Sequence, residues 1–372
     1  MKTEELVLKL MEYETVSPVK NPEVFQFLKG MLEDEGIDAE IREINGVYNL
    51  VAETGDPEAD ESVCLNGHMD VVEPEGEWSV TEPFKPVEKD GKLYGRGASD
   101  MKGALAAQIK AFIDLHRDSE FTDRAVLMAV GDEEIGGFDG SKALANEYHE
   151  EDKGFDHVLV GEPTDLDIQV GTRGLFWANV YLRGESVHAT RPHLAEMNTM
   201  EALPEALEKL RNLEMSFEND GPLPDPSSEV TIVESTDTYN SIPAEVKIGM
   251  DVRYLPGQEV QEVVEDIEKA LEGLDVEVEV EVEQDHGGDF KLEDKKFRET
   301  AVKVLSDVLD REPEQITSGG ASDGRFFSNN GTPFIELGVN QESVHGVNEY
   351  CSVENLKKLR KAYYQISKRM AA

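Results

Sequence analysis

The chain is poor in positive charge and nearly free of cysteine. Its 372 residues carry 36 Lys plus Arg against 79 Asp plus Glu, a formal net charge of −43. So acidic a surface repels nucleic acid and anionic membranes, so neither is expected as a partner. Two cysteines, Cys64 and Cys351, make no disulfide framework. No apolar run approaches membrane-spanning length, and Met1-Lys2-Thr3-Glu4-Glu5 lacks the basic start and apolar middle of a signal peptide. A cytoplasmic address is expected.

What is present argues for folded domains. High net charge often means disorder, but 39% hydrophobic residues and steady periodicity point the other way. The excess acid reads as a solvated surface adapted to concentrated salt, where screening lengths shrink to about 3 Å. A halophilic protein is expected. The length favours two domains with substantial cores.

Periodicity predicts helices over 3–14 and 22–35, strands over 37–41, 48–52 and 62–65, a helix over 100–116 and a buried strand over 125–130. A helix over 141–148 and a strand over 157–160 follow. This alternation predicts an α/β sheet flanked by helices. From Gly174 the order becomes strand 175–182, helix 199–213, strands 230–233 and 246–254, helix 260–271 and strand 276–282. That is the β-α-β-β-α-β order of a ferredoxin-like unit. The expected organisation is a catalytic domain over 1–173 and 286–372, interrupted by an inserted domain over 174–285.

Five potential metal ligands close predicted strands or Gly-rich turns: His68, Asp100, Glu134, Glu162 and His345. In open α/β sheets, ligands bind beyond the carboxyl ends of strands. Two histidines and three carboxylates make a ligand set for two zinc-like ions with one carboxylate bridging. Any one of these residues alone would read as surface or satisfied core; their shared position is what counts. Asp70, two residues after His68, is placed to accept a hydrogen bond from the imidazole and fix its tautomer. Glu133 and Glu134, read as neighbours on an extended segment, point oppositely, so one binds metal while the other faces substrate and moves a proton.

Two motifs compete with this reading. Gly95-x-Gly97-x-x-Asp100 has the outline of a dinucleotide fingerprint, but the Asp would face a pyrophosphate. Gly320-Ala321-Ser322-Asp323-Gly324 matches a nucleophile elbow with His345 downstream, which keeps a Ser322/His345 serine hydrolase as a remote alternative. A non-catalytic metal-binding scaffold is the other.

With these residues in place, the chain resembles the zinc amidohydrolase family of acetylornithine deacetylase, succinyl-diaminopimelate desuccinylase, aminoacylase and carboxypeptidase G. The match runs nearly end to end, through His68-Met69-Asp70, Gly95 to Gly103, Asp132-Glu133-Glu134, Gly161-Glu162-Pro163-Thr164, Val187-His188-Ala189, Asn240-Ser241-Ile242-Pro243, Gly319 to Phe326 and His345-Gly346-Val347-Asn348-Glu349. The resemblance implies that His68 and Glu162 hold one zinc and Glu134 and His345 the other. Asp100 would bridge them and be followed by a cis peptide. It implies that Asp70 orients His68, that Glu133 is general base then acid, and that the inserted domain is a lid and homodimer contact bringing His188 to the partner's oxyanion. Asn240, Arg253, Ser322, Gly324 and Arg325 would hold the substrate. Cobalt or manganese could replace zinc. The implied reaction is hydrolysis of an N-acyl amino acid amide by a zinc-activated water, with a dipeptidase or carboxypeptidase of the same family as the alternative. Ala321 stands where the desuccinylase loop often has Thr, which weakens assignment to succinyl substrates in particular.

Overall fold

Apolar runs without alternation belong in strands covered on both faces. Three of them lie side by side in the computed structural model, which describes residues 1–216, 223–235, 238–287, 290–318 and 322–370. Strand Ser62–His68 runs parallel between Arg124–Val130 and His157–Val160, and every residue of the three is buried. Register pairs His68 with Val130 and Asn66 with Val160, so the three carboxyl ends finish at nearly one level. Phe334–Glu336 adds a fourth parallel strand beside His157–Val160. Val47–Gly55 and Ala39–Ile44 continue antiparallel on one side, and Ile168–Thr172 on the other, which makes the sheet mixed.

Apart from Gly171 and Thr172, these strands belong to a first compact unit built from Met1–Val170, Leu292–Ile316 and the chain from Ser322 onward. Helix Lys102–Arg117 packs on the sheet and is buried around most of its circumference. Its small residues, Gly103, Ala104, Ala106, Ala107 and Ala111, permit that close approach, while Ile109 and Phe112 fill the core. Burial of each large side chain stabilises by about 2–3 kcal/mol. Helices Thr3–Met11 and Val353–Met370 pack against it, and Lys295–Leu309 packs on Val353–Met370. The α/β class with helices flanking a mixed sheet is the one the alternation predicts.

The second unit, Gly171–Lys291 with a short stretch near 317, has its own core. Among the described residues, its larger sheet has four strands in the order Ser227–Glu234, Glu245–Tyr254, Gly174–Arg183, Glu277–Gly287, all antiparallel. Alternate residues Phe176, Ala178, Val180 and Leu182 meet Val246, Ile248, Met250 and Val252 on one face. Helices Thr199–Arg211 and Val260–Ala270 cover that face with Ala206, Leu210, Val263 and Ile267. Asn198 caps the first helix by accepting from the backbone N–H of Met200 and Glu201. The order is ferredoxin-like.

Differences from the sequence reading are local. The 100–116 helix starts at Lys102, leaving Asp100 in the preceding turn, and the 3–14 helix stops at Met11. A three-stranded sheet of Val87–Lys89, Lys92–Tyr94 and Tyr350–Ser352 has no periodic signal because its strands have three residues each. Gly319, Gly320 and Ala321 of the serine-elbow loop lie outside the described residues. Among the described residues, no helix is long and apolar enough to cross a membrane.

Candidate metal centre

The three aligned strand ends determine what meets above them. His68 is the last residue of the central strand, Glu133 and Glu134 follow Arg124–Val130, and Glu162 follows His157–Val160. Asp100 comes from the turn before Lys102–Arg117, and its peptide bond to Met101 is cis, as the resemblance implies. His345 arrives from the segment after Phe334–Glu336, with a left-handed φ of 57°.

Distances gather these residues into one cluster. His68 Nε2 lies 3.0 Å from Asp100 Oδ1, 4.0 Å from Glu133 Oε2 and 3.9 Å from Glu162 Oε1. His345 Nε2 lies 3.2 Å from Asp100 Oδ2 and 3.2 Å from Glu134 Oε2. Asp100 thus divides its two oxygens between the two imidazoles. The sets His68/Asp100/Glu134 and His68/Glu133/Glu162 each place three donor atoms within 4.8 Å of one another.

Burial and like charge dominate the electrostatics. Burial, and after it the Asp100 and Glu133 carboxylates, push Glu162 well above the usual carboxylate range. Glu133 is pushed up the same way, first by burial and then by Asp323, Glu134 and Asp100, against the pull of His68. Burial also opposes ionisation of Asp100, but hydrogen bonds with His345 and His68 hold it below its ordinary value. His345 is pushed up to about 10 by its hydrogen bonds with Asp100 and Glu134. Carboxylates crowded this closely repel one another, and Glu162 Oε1 is buried with no hydrogen-bond partner. Such a donor set of imidazole and carboxylate fits divalent cations, which would replace repulsion with attraction.

Asp70 holds the centre together, though not quite as the spacing predicts. The His68 Nδ1 contact is with the Asp70 backbone carbonyl at 2.9 Å, with carboxylate Oδ1 at 3.5 Å. The strand ends at His68, which turns that carbonyl back toward the ring. Asp70 Oδ2 instead accepts from Ser17 Oγ at 2.7 Å and from the backbone N–H of Glu134 at 3.0 Å. One residue therefore fixes the imidazole and the neighbouring acidic turn.

That turn corrects another expectation. Glu133–Ile135 is a 3₁₀ turn, not an extended segment, so the two acids diverge by helical rotation rather than strand alternation. Gly136 and Gly137 close it with φ of 118° and 68°, and a Cβ on Gly137 would meet Asp323 Oδ1 at 2.1 Å.

The serine elbow resolves differently from its motif. Ser322 Oγ donates to Glu336, which is buried and also accepts from Gln169 Nε2. The His345 ring contacts Asp100 and Glu134, so each member of the supposed pair is engaged elsewhere. Gly324 is held by packing, since a Cβ there would meet the Phe334 ring at 2.1 Å. Arg325 is buried, donating from Nη1 to Ser322 O at 3.0 Å and from Nη2 to Gly136 O at 2.7 Å.

His188, Asn240 and Arg253 belong to the second unit. His188 pairs in register with Ser241, its Nδ1 lies 2.9 Å from Thr190 Oγ1, and its ring is exposed. Asn240, also exposed, accepts through its backbone carbonyl from Ala189 N–H at 2.9 Å. Arg253 pairs with Asp251, Nε to Oδ1 at 2.7 Å and Nη2 to Oδ2 at 3.1 Å.

Nothing in the sequence singles out Arg96, Glu349, Ser17 or Glu336 for a role at the centre. Arg96 and Glu349 lie inside quoted motifs, yet a charged residue in so charged a chain gives no sign of burial until the fold is known.

The profile of peptidase family M20/M25/M40 matches residues 64–369. Succinyl-diaminopimelate desuccinylase of Halorhodospira halophila is 30% identical over 381 residues, covering 100% of this chain and 98% of that protein. Among solved structures, aminopeptidase PepT of Bacillus cereus superposes with a TM-score of 0.80 at 21% identity, covering 100% of both chains. The YXEP protein of Bacillus subtilis, described as a dinuclear metal binding peptidase from the M20 family, superposes with a TM-score of 0.77 at 16% identity, covering 99% of this chain and 97% of its own.

Proposed function

The chain belongs to peptidase family M20/M25/M40 and is a metal-dependent amidohydrolase, and from that premise we propose that it hydrolyses the amide of an N-acyl amino acid. The observation that carries the reading is the division of Asp100's two oxygens between His68 and His345, with Glu133 in the same cluster 4.0 Å from His68 Nε2. Two ions, zinc or else cobalt or manganese, would be held by His68, Asp100, Glu134, Glu162 and His345. Bound metal supplies Lewis-acid polarisation of the amide carbonyl and lowers the pKa of water toward neutrality.

Glu133 takes a proton from the attacking water and then delivers it to the leaving amine nitrogen. Its buried setting, which raises its proton affinity, suits that exchange. Asp70 keeps His68 Nδ1 occupied, so Nε2 faces the cluster. The inserted unit acts as a lid and homodimer contact, with His188 stabilising the oxyanion in the partner's site. Exposed apolar side chains on that unit, among them Trp177, Ile232, Val233 and Val282, support the contact. Arg325 and the backbone at Ser322 and Gly324 would hold the substrate carboxylates and amide, and Asn240 and Arg253 of the inserted unit are proposed for the same role. A desuccinylase- or deacetylase-type substrate is the reading preferred, and the Halorhodospira halophila desuccinylase, similar over the whole chain, supports the first of these.

The test measures metal per chain and hydrolysis of N-succinyl-diaminopimelate, N-acetyl-ornithine and several dipeptides. Molar salt suits a chain of net charge −43. About two metals, with activity lost on chelation and restored by zinc, is the expected result. Activity indifferent to chelation refutes it, and preference for dipeptides moves the assignment to the peptidase branch.

A further inference from the structure

One buried ion pair connects the turn carrying Asp100 to the segment carrying His345. Glu349 is 0% exposed and Arg96 1% exposed, and Arg96 Nη1 donates to Glu349 Oε2 at 2.7 Å. The same oxygen accepts from the backbone N–H of Gly97 at 3.0 Å. Oε1 accepts from the N–H of Ser99 at 2.7 Å and of Asp100 at 3.0 Å. Four donors occupy the roughly four lone-pair sites of one carboxylate, so none remains for a metal.

The other arm of Arg96 turns to the second segment, Nη2 donating to the His345 carbonyl at 3.2 Å. A continuous path therefore runs from the His345 carbonyl through Arg96 and Glu349 to the Asp100 amide. Its two ends carry the side chains that face each other at 3.2 Å in the cluster. Asn348 braces the same segment from outside, its Oδ1 accepting from the N–H of Ser79 and of Val80 at 2.9 Å each. His345 and Asn348 both have a φ of 57°, a conformation that needs such external support.

We propose that Glu349 is a positioning residue: it sets the placement of Asp100 relative to His345, and so the affinity of the metal position these two would share, without being a ligand itself. This rests on the metal-dependent reading above and deepens it. A buried ion pair is weak grounds for stability by itself, because desolvation offsets its attraction. What distinguishes this one is where its hydrogen bonds end: on the backbones of two ligand residues.

The test uses the full-length protein stripped of metal and titrated with zinc against a competing chelator. Glu349→Asp keeps the charge and the pairing with Arg96 but withdraws the carboxylate by about 1.5 Å, one carbon–carbon bond. Expected is a folded variant whose affinity for one of two zinc ions falls about 10–100-fold, the usual effect of an outer partner of a metal ligand. Turnover number should fall while KM changes little, because the substrate-holding residues are untouched. Arg96→Lys, which keeps the charge and loses the fork to the His345 carbonyl, should weaken the same zinc position and serves if the Asp variant does not fold. Wild-type zinc affinity at both positions in either folded variant overturns the proposal and leaves the proposed function standing. A wild-type protein that takes up no divalent metal would sink both.

Discussion

Replacing Glu133 by Gln is the most direct test of how the cluster is used. The amide has nearly the shape of the carboxylate but cannot accept and return a proton at neutral pH. Glu133 sits in the His68/Glu162 set, 4.0 Å from His68 Nε2, whereas Glu134 lies 3.2 Å from His345 Nε2. The two adjacent acids should therefore fail differently. A positioned general base contributes about 10²–10⁴-fold, so Glu133→Gln should lower kcat by that factor, or about 3–5 kcal/mol of barrier. Metal content and KM should stay near wild type. Glu134→Gln should instead lose metal, because its carboxylate is assigned as a ligand. Glu133→Asp, which moves the carboxylate back by about one bond length, should fall between, since a 1 Å misplacement can cost roughly 10²-fold. The assay is steady-state hydrolysis of the best substrate with metal measured on the same samples. A fully metallated Glu133→Gln enzyme within fivefold of wild type would falsify the proton-shuttle role.

Other consequences can be checked independently. Ser322→Ala should keep turnover within about tenfold while lowering Tm, because Glu336 loses a buried donor worth about 1–3 kcal/mol; loss of all activity with metal intact would revive the serine reading. Glu336 is raised from 4.5 to about 7, chiefly by burial. Below 4.5 both folded and unfolded forms are protonated, and between 4.5 and 7 the folded form holds the extra proton, so stability falls as pH rises through that window. The full effect is on the order of 3 kcal/mol. Denaturant melts of wild type and Glu336→Gln should show a flatter dependence between pH 4.5 and 7 in the variant, and parallel curves would refute the assignment. Gly338→Ala should disturb the centre from outside it, since its Cβ would meet the Glu162 backbone carbonyl at 2.2 Å. Weaker zinc binding together with a lower Tm is expected; an unchanged protein would show that the carbonyl can move freely.

Much of the centre can be read from the order of amino acids because it depends on strand ends. Apolar runs such as 125–130 and 157–160 announce buried strands, and an acid or histidine just past such a run has few other reasons to be there. The second unit is legible for a related reason: unbroken Val/Glu alternation over 276–282 marks a strand with one buried and one wet face, and Val276, Val278 and Val280 pack against the core. The 3₁₀ turn at Glu133 escapes because three residues carry no period. Arg96 and Glu349 escape because sequence cannot distinguish a fully buried charge from the many solvated ones around it. The Asp70 contact is missed by one atom type: spacing brings residue 70 to the ring of His68, but whether carbonyl or carboxylate arrives depends on where the strand stops.

The sheet order bears on how the chain is made. Strand Phe334–Glu336 inserts between His157–Val160 and Ile168–Thr172, although about 160 residues of translation separate it from its neighbours. The ribosome therefore releases the whole second unit, whose core needs little from outside 171–291, before the first sheet can be completed. His345 and Glu349 emerge later still, so a nascent chain that already displays His68, Asp100, Glu134 and Glu162 would hold only part of the ligand set proposed above. The proposed ligand set is therefore complete only when chain from both sides of the second unit has been made.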